Sequence, residues 1–146
     1  TGETIDAHPD FRVFASGNTV GYRAEFRARF AGTGSLNSAL LGRFGFVIAC
    51  DYPNEVDEAE RLQAHLPNLD KLTATSMCRV AKKLREDPKF RSDLSTRSLL
   101  QWARIAMELG ADNPRAFELS ILRKMESPTD AKVARTVLEQ IFGFEA

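Results

Sequence analysis

Pro53 divides this chain into two kinds of hydrophobic pattern, and that division limits its fold more than any other feature. Before it, apolar residues come in short, near-continuous runs: Phe11, Val13 and Phe14, then Phe44, Phe46, Val47, Ile48 and Ala49. Such runs read as strands buried on both faces, the pattern of a parallel sheet. After it, apolar residues recur at helical spacing to the end of the chain. Proline cannot continue a strand ladder. Tyr52-Pro53-Asn54 therefore ends the second strand and marks a domain boundary. The expected architecture is a partial α/β piece over residues 1–53 followed by an all-helical domain over residues 54–146.

In the first part, Phe11–Ala15 is the first predicted strand, and Ser16-Gly17-Asn18-Thr19 turns at its carboxyl end. Asparagine is at home in turns. Polar groups at strand ends also face the ligand crevice of open α/β sheets. Asn18 is thus either a turn residue or a ligand-facing amide. Leu36–Arg43 reads as a short helix capped by Asn37 or Ser35, with Arg43 at its end. Between these, Tyr22, Phe26 and Phe30 recur every four residues beside Arg23 and Arg27. That stretch is either the aromatic face of a surface helix or a basic, aromatic loop for a partner.

The second part predicts helices over Glu55–Leu66, Leu69–Arg85, Thr96–Leu109, Pro114–Met125 and Pro128–Phe142. Acids in the first turn of the first, Ser95 before the third, and proline near the start of the last two all favour helix starts. Gly110 and Gly143 read as stops. The second helix is read with Leu72, Ser76, Val80 and Leu84 inward, and with Arg79, Lys82, Lys83 and Arg85 facing solvent. Arg97 falls in the first turn of the third helix, where a cation is locally unfavourable by roughly 0.3–1 kcal/mol. A nearby anion would offset that.

Composition removes several classes. Twenty basic residues balance twenty acidic ones, so overall charge gives no reason for nucleic acid or a membrane surface as partner. Hydrophobic residues at 43% are too many for a disordered chain. No apolar run approaches the roughly 18 residues of a spanning helix. No signal peptide is expected. Cys50 and Cys78 are too few for a disulfide framework and read as reduced packing residues, so a cytoplasmic protein is expected. His8 has no partner at metal-ligand spacing, and no metal site is expected. The chain opens at Thr1 with what reads as the return arm of a hairpin, so a piece of a longer chain is expected.

Taken together, FRVFASGNTVG, GTGSLNSALLGRFGFVIACDYP and STRSLLQWARIA, in this order, resemble the second half of an AAA+ ATPase. They are most similar to the branch of MoxR-like ATPases and the cobaltochelatase small subunit. The resemblance implies a partial P-loop NTPase core with parallel strands over residues 1–53 and a helical lid over residues 54–146. It assigns Asn18 to sensor 1, which orients the attacking water, and Arg43 to the arginine finger, which reaches the nucleotide of the next subunit. Arg97 matches sensor 2, a lid arginine on the phosphates. Guanidinium suits such work because it stays charged and binds phosphate bidentately. The implied cofactors are ATP and Mg²⁺. The implied partners are further copies in a ring, expected to be a hexamer, and a remodelled protein or chelatase subunit.

The phosphate loop G-x-x-x-x-G-K-[ST] and a strand ending in paired acids are absent from the sequence, so this piece alone is expected to be inactive. Gly42 stands where the family often has an acid before the finger, and the Arg/Phe-rich stretch Tyr22–Phe30 replaces a usually Gly-rich, polar one. The competing expectation is a non-catalytic helical binding module derived from the same fold. It would bind nucleic acid through Arg23, Arg27, Arg29 and the basic residues of Arg79–Arg91.

Overall fold

The structure, a computed structural model, describes residues 2, 5–17, 38–109 and 113–143. It divides into two compact units, Thr1–Val47 and Ile48–Ala146. In the first, a turn at His8–Phe11 is closed by the Phe11 N–H on the His8 carbonyl at 2.8 Å. Among its described residues the regular element is one helical turn, α1 (Ser38–Leu41). The Arg43 and Phe44 N–H groups donate back to the Leu40 and Leu41 carbonyls, both at 3.1 Å.

Among its described residues the second unit holds five helices: α2 (Glu55–His65), α3 (Lys71–Glu86), α4 (Thr96–Glu108), α5 (Asn113–Ser120) and α6 (Pro128–Phe142). A 3₁₀ turn, Leu122–Lys124, joins the last two. Local chemistry sets their ends. The side chains of Asn54, Asp70, Ser95 and Ser127 each accept a hydrogen bond from a backbone N–H in the following first turn. These satisfy donors that a helix start leaves without partners. Gly143 closes α6 at φ 73°, a conformation that suits glycine. Gly110, the expected stop of the third predicted helix, lies outside the described residues.

α3 packs against α2, α4 and α6, and α4 against α5. The core between them is built from Leu62, Met77, Leu84, Leu99, Trp102 and Phe117, all fully buried. Burial of such side chains contributes roughly 1.5–3 kcal/mol each. Trp102 stands edge-on to Phe117 and Phe142, with ring centroids 4.7 and 5.8 Å away. The helical lid expected from residue 54 onward is thus present as a packed helical body.

The expected parallel strands are not. Among the described residues there is no strand, and Phe11–Ala15 and Phe44–Asp51 run without ladder partners. Their apolar side chains lie open: Phe14 is 90% exposed and Phe46 76%. Strand hydrogen bonds are made with another segment, and a two-faced apolar run needs layers on both sides. Nothing among the described residues supplies either. Two smaller expectations also change. Leu72 is 77% exposed rather than inward. Cys50, read as a packing residue, is exposed, whereas Cys78 is buried.

Candidate functional site

The three residues singled out from sequence meet different fates. Asn18 lies outside the described residues, as do the stretch Tyr22–Phe30 and the expected caps Ser35 and Asn37. Arg43 follows α1 in the first unit, with an exposed side chain that has no partner among the described residues. Arg97 belongs to the second unit, two residues after the cap Ser95 of α4, and is also exposed. No acid lies in that first turn, and no described side chain pairs with Arg97.

What surrounds Arg97 is more extensively hydrogen-bonded than the residue itself. The segment entering α4 is held by two buried carboxylates. Asp130, 1% exposed near the start of α6, accepts from the Arg91 N–H, the Ser92 N–H and the Ser92 hydroxyl, the last two at 2.6 Å. Burial pushes the Asp130 carboxyl up, but the Ser92 and Arg91 hydrogen bonds outweigh it and hold it below its ordinary 3.8. Glu58, 1% exposed on α2, receives two hydrogen bonds from Arg85 of α3, at 2.8 and 3.0 Å. Glu58 also accepts from the Thr96 hydroxyl at 2.5 Å, and Arg85 Nε donates to the Leu94 carbonyl at 2.8 Å.

Both residues flanking the cap Ser95 are therefore tied to one ion pair. Tyr52 completes the arrangement. Its ring lies over the Arg85 guanidinium, 3.8 Å from the centroid, and its hydroxyl donates to the Asp93 carboxylate. The outcome is a fixed helix start presenting an exposed cation. Helix starts carry partial positive charge and free N–H donors. A further, unpaired cation placed there is suited to a phosphate and ill-suited to a neutral ligand. Among the described residues no group of His, Cys, Asp and Glu side chains could hold a metal ion.

Hydropathy alone missed Glu58, Arg85 and Asp130, because charged side chains are normally sorted outward. One signal was present. Glu58 shares a helix face with Leu62, and Arg85 with Ala81 and Cys78, at spacings of four, four and seven. Correcting Arg85 from solvent-facing to largely shielded also weakens the basic face read on this helix. Arg79, Lys82 and Lys83 remain exposed there, and Arg79 pairs with Glu55 at 3.2 Å.

Residues 58–143 match the family described as CbbQ/NirQ/NorQ C-terminal. The chain belongs to that family. The match covers α3 to α6 and begins at Glu58, the buried carboxylate of α2. The aerobic cobaltochelatase subunit CobS of Sinorhizobium sp is similar along almost the whole chain, 32% identical over 149 residues and 97% of this sequence. The chain spans 44% of that relative's length. No solved structure matches. The resemblance to the C-terminal part of AAA+ proteins of the MoxR-like and cobaltochelatase branch is borne out by both similarities.

Proposed function

We propose that this chain is the phosphate-sensing, C-terminal part of an AAA+ ATPase that works as a ring and drives a metal chelatase or remodels a protein partner. The observation that carries the reading is Arg97: an exposed cation without a described partner, in an acid-free first turn. The helix start around it is held by two buried carboxylates. The printed name of the CobS relative supports a chelatase partner for the whole protein.

In this reading Arg97 acts as sensor 2 and binds the phosphates of ATP. Asn18 acts as sensor 1 and orients water. Arg43 acts as the arginine finger toward the neighbouring copy. Residues 1–53 are the second half of the nucleotide-binding core, and residues 54–146 its lid. ATP with Mg²⁺ supplies the phosphoryl group to be transferred. Positive charge from this chain's arginines stabilises that group without covalent chemistry. The ring is a cytoplasmic homo-oligomer, a hexamer by family habit. The phosphate loop and the Mg²⁺-binding acids come from a preceding segment, so the 146 residues alone do not turn over ATP.

The deciding experiment is Arg97→Ala in the complete protein. Loss of charge-assisted phosphate contacts should weaken ATP binding by about tenfold or more, measured by titration calorimetry. Unchanged affinity, with the helical body still folded by circular dichroism, would remove Arg97 from the nucleotide site.

A further inference from the structure

We propose that Tyr52 is a positioning residue for Arg97, acting through Arg85 and Asp93. The inference rests on the nucleotide-contacting role of Arg97 proposed above. It starts from an oddity of placement. Tyr52 stands on the extended segment before α2, 41 residues from its hydroxyl partner Asp93, yet it makes two separate contacts with the machinery at the start of α4. Its ring covers the Arg85 guanidinium, whose Nε holds the Leu94 carbonyl and whose other nitrogens hold Glu58. Its hydroxyl holds Asp93. Glu58 in turn accepts from Thr96. Residues 93, 94 and 96, all within four positions of Arg97, are thus held directly by Tyr52, by Arg85 beneath it, and by Arg85's partner.

The physical consequence is restraint at both ends of the cap. An aromatic face over guanidinium shields the cation from water, which strengthens its hydrogen bonds to Leu94 and Glu58. The phenol–carboxylate bond fixes the backbone two residues before Ser95. Neither contact buries Tyr52, which stays 44% exposed. Its removal therefore opens little core, and the helical body should survive the substitution. What changes is the spread of positions open to the start of α4, and with it the fraction of molecules whose Arg97 is aligned for a phosphate. A group that acts only by alignment lowers affinity by the fraction misaligned.

The test is a double-mutant cycle in the complete protein, with ATP affinity by calorimetry and turnover at saturating ATP as readouts. Tyr52→Ala should weaken ATP binding about fivefold, with Tyr52→Phe between it and wild type because the ring still covers Arg85. The double variant Tyr52→Ala with Arg97→Ala should bind no more weakly than Arg97→Ala alone, since Tyr52 acts through Arg97. Retained helix content and melting temperature would separate alignment from unfolding. If Arg97→Ala weakens binding but Tyr52→Ala does not, or if the two effects simply add, the positioning role is wrong while the role of Arg97 stands. If Arg97→Ala binds ATP normally, both fall.

Discussion

The Arg85 guanidinium meets the Glu58 carboxylate through two hydrogen bonds of 2.8 and 3.0 Å, with the two side chains 12% and 1% exposed. A charge pair so shielded is a matter of geometry more than of stability, because desolvation of both ions offsets their attraction. Removing one partner is another matter. Glu58→Ala should destabilise the helical body by about 3–5 kcal/mol, since it leaves Arg85 and the Thr96 hydroxyl without their acceptor. Replacing both charges together, as Glu58→Leu with Arg85→Met, should recover most of that loss. Urea unfolding followed by circular dichroism measures both. A single variant within about 1 kcal/mol of wild type would mean that the pair is solvated like an ordinary surface bridge.

Asp130 gives the body an acid limit. Its carboxyl is held below 3.8 by hydrogen bonds it makes only when folded, so the folded state binds its proton less readily than the unfolded chain. The sign follows from linkage: this contribution is fully present above the unfolded value and is lost as pH falls through the folded one. Unfolding stability measured between pH 7 and pH 2 should therefore drop below about pH 4. Asp130→Asn should flatten that drop and lower stability at pH 7. If the variant shows the same acid slope as wild type, other carboxylates set the limit.

The helical half of this fold was legible because its signals are local. A cap such as Ser95, prolines at 114 and 128, and Gly143 each act within one turn, and the helices end within a few residues of where those signals stand. Two other things were not local. A stripe taken at every fourth residue drifts by about 40° per step around a helix, so Leu72 lies about 120° from Leu84 and turns to solvent. The buried arc of α3 instead runs through Ala74, Met77, Cys78, Val80, Ala81 and Leu84, and Arg85 lies inside it. The strand-like runs depend wholly on segments elsewhere. Phe11–Ala15 and Phe44–Asp51 carry the composition of buried strands without a partner among the described residues. Arg97 stands out in the sequence by its misfit with the helix dipole, its proposed role resting on the family resemblance, while the carboxylates that hold its helix were hidden by their charge.

The two cysteines should separate cleanly by reactivity. Cys78 is fully buried, and burial, together with the nearby Glu58 charge, pushes its thiol up to about 12. The thiolate is the reactive form. Cys50 is exposed. With Ellman's reagent at pH 8, the folded chain should titrate one thiol quickly, and a second only after urea is added. Two fast thiols in the folded chain would show that the packing between α2 and α3 is open to solvent.

Gly143 offers a test of a single backbone position. It adopts φ 73°, and a Cβ built there would meet nothing within 4 Å. Any loss on Gly143→Ala therefore comes from backbone conformation rather than from a clash. It should be about 1 kcal/mol, read as a lower urea midpoint with unchanged slope. A change in slope would instead show that the end of α6 had come away from the body.

The finger role proposed for Arg43 makes a prediction that no contact within one subunit can imitate. In the complete protein, Arg43→Ala should lower turnover by about 10³ while ATP affinity stays within about twofold, because the residue acts on a neighbour's nucleotide and only in the transition state. Arg97→Ala should instead weaken binding within its own subunit. Mixing the two impaired variants, at ATP too dilute to saturate Arg97→Ala, should then restore part of the activity. At some contacts a subunit with intact Arg43 faces a neighbour whose Arg97 is intact, and that site is complete. Turnover of the mixture above that of either variant alone supports action between subunits. A mixture no more active than its parts would place both arginines in one and the same subunit's site, and Arg43 would lose its assignment as a finger.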